Sequence, residues 1–390
     1  MASKEIWITN GVVLTQDKRR RALRANVRVI NGRIDSLNTR SPRRGRGVTV
    51  IDAAGLVLAP GFIQTHVHLC QTLFRNQADD LELLDWLSKR IWPFESRHTA
   101  DTLEASALLG IHELLSSGTT CLLDMGTVRH TGAIFEAVRA SGIRANVGKC
   151  LMDHPKRNPR ELQESTRDAL DEAEMLFAEW NGRENDRIRA SYAPRFAISC
   201  TDELMREVGR LSREQGALIH THASENRKEV AYVRKLWGCS NIELLDRLGL
   251  VTDKLVLAHG IWLSDKDIGI LKKARATITH CPSSNLKLAS GIAPVPELRK
   301  RGVNVSLGAD GAPCNNSLDM FREMRLAALI QKPGHGPRAM RAQEALDMAT
   351  IHGAKALHWD DSIGSLEPGK CADLIALDLA APENTVPEHR

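Results

Sequence analysis

Phenylalanine, tryptophan and tyrosine together supply only 4% of the 390 residues, and the formal net charge of +5 is small for that length. Proteins that bind nucleic acid interleave aromatics with a strongly basic face, so this class is not expected. The basic clusters Lys18 to Arg21 and Arg43 to Arg46 read as solvated loop tips. Also missing is any run of eighteen apolar residues, which leaves no transmembrane helix to expect and no membrane partner. The opening Met1-Ala2-Ser3-Lys4-Glu5-Ile6 lacks the apolar region of a secretory signal. The eight cysteines are dispersed without a CxxC pair. That usage fits reduced thiols and a cytoplasmic location. Internal repeats and low-complexity tracts are absent too.

The chain does hold 42% apolar residues, enough for a large core. It is longer than an average domain, but barrels of about 200–250 residues or more commonly form one unit. The first 55 residues are strand-like. Ile6–Thr9 and Val12–Leu14 flank Asn10-Gly11, and Val27–Ile30 and Arg33-Ile34 flank Asn31-Gly32, a strong hairpin signal. Gly369–Asp373 leads into another apolar run, Leu374–Leu377. A small β-sandwich built from both chain ends, residues 1–55 plus 360–390, is therefore expected. Between the ends, apolar runs alternate with helical patterns. The runs are Leu56–Ile63, Thr120–Leu123, Arg144–Val147, Ile188–Tyr192, Ala217–His220, Leu255–Ala258, Ala276–Thr279 and Val303–Leu307. Eight such units predict an α/β fold, a (β/α)8 TIM-type barrel over residues 56–359, with its site at the C-terminal strand ends.

Polar residues follow those runs in a pattern that random placement would rarely give. His66 and His68 come after the first, His222 after the fifth, His259 after the sixth, His280 after the seventh and Asp310 after the eighth. Residues two apart on a strand share a face, so His66 and His68 can reach one ion. Neutral imidazole is a good ligand for zinc and similar metals. His66, His68, His222 and Asp310 thus make a plausible site for one divalent ion with room for water, whose pKa a catalytic metal lowers towards about 7. Asp310 is expected to touch the metal and accept a proton. His259 would orient the nucleophile or stabilise developing charge. Glu225, about one helical turn beyond His222, can enter the same pocket, protonate a ring nitrogen and carry a proton to a departing amine. His280, before Cys281-Pro282, reads as a structural residue.

With these motifs assembled, nearly the whole chain resembles the amidohydrolase superfamily. The resemblance rests on Pro60-Gly61-Phe62 through His68, His222-Ala223-Ser224-Glu225, Ala258-His259-Gly260 and Leu307-Gly308-Ala309-Asp310-Gly311. It points to the mononuclear deaminase and chlorohydrolase branch. No lysine of the binuclear branch stands at Ala193-Pro194-Arg195, and Pro313-Cys314 does not continue into the signature of cytidine-type deaminases. Within the branch the chain is most similar to 5′-deoxyadenosine, methylthioadenosine and S-adenosylhomocysteine deaminases. That likeness lies in Asp85-Trp86-Leu87, Ile91-Trp92-Pro93-Phe94-Glu95, Ser283–Leu288 and Asn315–Phe321.

The resemblance implies a metal-dependent hydrolytic deaminase that converts an adenine-type nucleoside to its inosine-type product and ammonia. The ion would be zinc, with iron the alternative. Glu95 would bind ribose hydroxyls, Gln71 would contact a base edge, and the segment Leu69 to His98, with Trp86 and Trp92, would cover the pocket. Small-molecule substrates are the partners expected, together with a homo-oligomeric state. Pro194-Arg195-Phe196 instead resembles guanine deaminases, where the matching arginine touches the purine. Guanine, 8-oxoguanine or pterin deamination and s-triazine dechlorination therefore stand as alternatives. A non-enzymatic scaffold is disfavoured by the complete set of polar residues. The C-terminal contribution is short for this family.

Overall fold

The computed structural model describes residues 4–40, 42, 45 and 47–379. The arginines of the second basic cluster and residues 380–390 of the expected sandwich lie outside the described residues. The chain divides into two compact units, Met1–Phe62 with Thr350–Arg390, and Ile63–Ala349.

The smaller unit contains two four-stranded sheets. In one, the order is Arg33–Asn38, Asn26–Ile30, Glu5–Thr9, Val48–Asp52; in the other, Leu374–Asp378, Leu56–Pro60, Val12–Leu14, Ala22–Arg24. Ile8, Val13, Val27, Val29, Ile34 and Leu58 form a common buried cluster. The Asn31-Gly32 hairpin is present, with φ of 51° and 78° at its two central residues, a conformation that Asn and Gly tolerate. Asn10-Gly11 does something different. It carries the chain from one sheet to the other, so Glu5–Thr9 and Val12–Leu14 are not paired. Asn10 is held at φ 65° by Asn26 Oδ1 on its backbone N–H and by its side chain donating to Asp52. A Cβ on Gly11 would lie 3.2 Å from Ala53 and Leu58.

The larger unit is built on a parallel sheet. Its strands are β1 (Phe62–His68), β2 (Thr119–Met125), β3 (Arg144–Leu151), β4 (Ile188–Pro194), β5 (Leu218–Ala223), β6 (Leu255–His259), β7 (Thr277–His280), β8 (Asn304–Leu307) and β9 (Asp310–Gly311). β2 to β8 pair in parallel with one another in sequence order, β1 lies beside β2, and β9 pairs in parallel with β1 on its other side. This is a TIM-like α/β arrangement. β2 to β8 correspond to apolar runs, β9 to none, and the start differs. Leu56–Ala59 pairs with Leu374–Asp378 and Val12–Leu14 in the smaller unit, so the first strand of the parallel sheet begins only at Phe62. The division accordingly falls several residues from 55/56. It also precedes 359/360, because the helix Ile351–Ala356 belongs with the smaller unit, where Thr350 accepts a hydrogen bond from Gln16.

Helices return the chain between strands. In Ala100–Ser116, Leu103, Ala107, Ile111 and Leu114 recur at helical spacing and join Val67 and Leu122 in one buried cluster. Each large side chain buried there contributes about 1.5–3 kcal/mol. Thr201 and Ser264 cap the helices that follow β4 and β6; Gly216 ends the first of these in the left-handed conformation, and Gly142 and Gly238 end two others the same way. Among the described residues no helix is long and apolar enough to cross a membrane.

Candidate metal centre and its surroundings

β1, β5 and β9 bring His66, His68, His222 and Asp310 to one point. Their ligand atoms all lie within 4.8 Å of one another. His66 Nε2 is 3.2 Å and His68 Nε2 3.4 Å from Asp310 Oδ1, and His68 Nε2 is 3.3 Å from His222 Nε2. His68 Nδ1 lies 2.9 Å from the Met125 carbonyl and His222 Nδ1 2.7 Å from the Arg195 carbonyl. A carbonyl only accepts, so both Nδ1 atoms carry the proton and both Nε2 atoms present lone pairs. His66 Nε2 is buried without a hydrogen-bond partner. Lone pairs and a carboxylate facing one another at this range repel unless a cation lies among them. Metal bonds of about 2.0–2.1 Å in a tetrahedron place ligand atoms roughly 3.3 Å apart, so the donor set fits a divalent ion.

Local structure fixes each ligand. Asp124 on β2 accepts the Leu69 backbone N–H at 2.7 Å, directly after His68. Burial lifts its carboxyl to about 7, while the Leu69 bond works the other way. Asp310 sits at φ 63°, accepts the Gly311 N–H, and takes a 2.7 Å bond from Ser284 Oγ. Burial works to raise its pKa, but the facing His66, His259 and His68 outweigh that and hold it well below the usual range.

Glu225 and His259 stand beside this cluster. His259 Nε2 is 3.4 Å from Glu225 Oε2 and 3.8 Å from Asp310 Oδ2. Its Nδ1 donates to Asn285 Oδ1 at 2.8 Å, the remaining ring proton being fixed by that amide. Glu225 does not reach the pocket on a helical turn: Ser224 at φ 56° redirects the chain, and the helix starts only at Arg227. Burial raises the Glu225 carboxyl to about 7, with Asp310 adding to the rise and His259 opposing it. Such a carboxyl holds or releases a proton near neutrality.

The remaining expected residues form a second group. Arg195 donates to Glu95 in bidentate fashion, at 2.6 Å and 3.2 Å, and Gln71 Nε2 donates to Glu95 Oε1 at 2.8 Å. All three are buried. Glu95 is therefore tied to Arg195 instead of standing free. Trp92 packs on the cluster of Met125, Val128, Cys150, Met152, Leu162 and Ala193, its Nε1 unpartnered. His280 is buried at the end of β7 with both ring nitrogens unpartnered, and no metal ligand is formed by it.

Residues 57–388 match the amidohydrolase family. The chain belongs to that family. It is 40% identical over 387 residues to 5′-deoxyadenosine deaminase of Methanothermobacter thermautotrophicus, an alignment covering 99% of this chain and 87% of the relative. It is also 40% identical, over 87% of its length and 76% of the relative, to 5-methylthioadenosine/S-adenosylhomocysteine deaminase of Pelotomaculum thermopropionicum. Among solved structures, a zinc-bound adenosine deaminase from Xanthomonas campestris superposes with TM-score 0.91 at 32% identity, covering 99% of this chain and 87% of that one.

Two residues of this amidohydrolase that sequence reasoning passed over belong to the site's surroundings. His220 Nε2 lies 2.7 Å from His66 Nδ1. Asp124 grips the turn after His68. His220-Thr221-His222 repeats the His-x-His spacing of β1, the signal through which His220 was available. Asp124 gave no such signal, since its function depends on a neighbouring strand.

Proposed function

We propose that this chain is a metal-dependent deaminase of an adenine-type nucleoside, namely 5′-deoxyadenosine, methylthioadenosine, S-adenosylhomocysteine or adenosine. The observation that carries the reading is the placement of Glu225 and His259, 3.4 Å apart, beside the four-ligand cluster. In the reaction water adds at C6, the C6–N bond breaks, and the amine leaves as ammonia. A bound divalent ion, zinc with iron as the alternative, supplies the acidified water. His66, His68, His222 and Asp310 would hold that ion. Asp310, through Oδ2, takes the proton released by water and returns it towards the departing amine. Glu225 gives its carboxyl proton to the adjacent ring nitrogen, so that negative charge does not build on the ring, and takes one back from the C6 hydroxyl as the carbonyl forms. His259, its Nδ1–H held by Asn285, turns Nε2 to the site, where that nitrogen accepts from the attacking water and orients it.

Glu95, Gln71, Arg195 and Trp92 are the substrate-binding residues in this reading, with Glu95 accepting from ribose hydroxyls. One observation favours a second reading, deamination of a guanine-type base. Glu95 already receives three hydrogen bonds from Arg195 and Gln71, which leaves it little capacity for a diol. Ammonia release from a panel of adenosine derivatives, guanine, 8-oxoguanine and a triazine, with metal content measured in parallel, separates the two. Activity confined to the nucleosides supports the first reading. Turnover of free guanine alone overturns it, as does a fully loaded protein inert on every compound.

The same reading takes the larger unit as a closed (β/α)8 barrel, because only Gly308 and Ala309 separate β8 on β7 from β9 on β1. It takes the two small sheets as a β-sandwich. It places the protein in a reducing cytoplasm as a homo-oligomer acting on small molecules, in keeping with eight cysteines dispersed without a CxxC pair.

A further inference from the structure

The three histidines of the cluster are not backed in the same way. His68 and His222 direct Nδ1 at backbone carbonyls, which lock one tautomer. His66 directs Nδ1 at another imidazole, that of His220, at 2.7 Å, with the rings edge to face and 4.9 Å between centroids. An imidazole nitrogen accepts or donates, so this contact permits two neutral arrangements. In one, His66 Nδ1–H donates to His220 Nε2, and the proton of His220 sits on its Nδ1. In the other, His220 Nε2–H donates to His66 Nδ1, and His66 carries its proton on Nε2, 3.2 Å from Asp310 Oδ1. Only the first frees the His66 Nε2 lone pair for a metal. The second puts a proton on that atom and leaves it no lone pair for an ion. Both rings are buried, so water does not take over either partnership.

We propose that His220 is a positioning residue that sets the tautomer of His66 and thereby the affinity of the cluster for its ion. Conversion between the two arrangements moves one proton within the pair and one on each outer nitrogen, and leaves both rings neutral. The sequence His220-Thr221-His222 thus supplies β5 with one imidazole for the metal and a second for the ligand on β1. This inference rests on the reading of His66 as a metal ligand.

Zinc affinity of the full chain, measured by chelator competition, tests it through variants. His220→Leu removes the acceptor and is expected to weaken zinc binding about 10- to 100-fold, as loss of such partners typically does. His220→Gln, whose amide oxygen reaches a similar position, is expected to restore most of it. Unchanged affinity in His220→Leu overturns the proposal, and so does equal loss in both variants, which would mean a packing role. His66→Ala separates this from the metal reading, which fails if that variant also keeps its zinc. Should His220→Leu not fold, nitrogen NMR of the imidazoles in zinc-loaded wild-type protein decides. His66 Nδ1 protonated and His220 Nε2 unprotonated is expected; the reverse overturns the assignment.

Discussion

Two acidic residues at this site carry different burdens, and substitution separates them. Asp310 faces the lone pairs of His66 and His68, whereas Glu225 meets His259 and lies outside the ligand set. Asp310→Asn removes the negative charge that a cation among the histidines requires, so bound metal and turnover should fall together. Glu225→Gln keeps the size of the side chain and cannot transfer a proton. Its kcat should drop about 10²- to 10⁴-fold, the range of general acid–base catalysis, with metal content unchanged. Metal analysis beside steady-state kinetics checks both, and loss of metal in Glu225→Gln would contradict the division. The convergence of side chains was legible at this scale wherever a residue stood just after an apolar run. His66, His68, His222, His259 and Asp310 all did. Glu95 was legible as a carboxylate but not as the partner of Arg195, because 100 residues separate them and only the fold brings them together.

Individual elements show where that legibility stops. Periodicity located seven strands of the parallel sheet to within a few residues, since buried parallel strands read as short apolar runs. It misplaced the first, because Leu56–Ala59 is equally apolar and nothing local says which sheet it joins. The connection between β8 and β9 has a steric signature instead. A Cβ on Gly308 would lie 2.6 Å from the His66 carbonyl oxygen and 2.9 Å from its nitrogen. Gly308→Ala should therefore push the backbone of β1 at a metal ligand, lowering the melting temperature by the equivalent of about 1–3 kcal/mol and weakening metal binding. Wild-type values for both would show that the strand end yields freely. The helix Met320–Ile330 is tied down through Glu323, buried and bonded by Ser283 and Asn315. Burial lifts its carboxyl from 4.5 to about 7, although Ser283 and Asn315 oppose the rise. A carboxyl raised in the folded state stabilises it fully below the unfolded pKa and loses that contribution as pH climbs through the folded value. Stability should then decline between pH 4.5 and about 7, by no more than about 3.5 kcal/mol at roughly 1.4 kcal/mol per pKa unit. Glu323→Gln should flatten that part of the profile in denaturant titrations. An identical profile in the variant would remove Glu323 as its source.

Across the larger unit, the four ligands come from β1, β5 and β9, strands far apart in sequence that no local element joins. A cation held by all of them cross-links the unit only when it is folded, since the unfolded chain scatters His66, His68, His222 and Asp310. Binding to the native state alone adds about 4 kcal/mol when free metal exceeds Kd a thousandfold. For a unit of this size each kcal/mol moves the melting temperature by roughly 2–4 °C. Chelation of the metal-loaded protein should thus lower the transition by on the order of 10 °C, and readdition of zinc should restore it. The smaller unit contributes none of the four ligands, so a transition confined to it should be indifferent to the chelator. His66→Ala gives the control: it should melt near the chelated wild type and gain little from added zinc. If stripped and loaded wild-type protein melt at the same temperature, the ion is not held by all these strands together, and the cluster would have to be explained as a set of buried polar contacts.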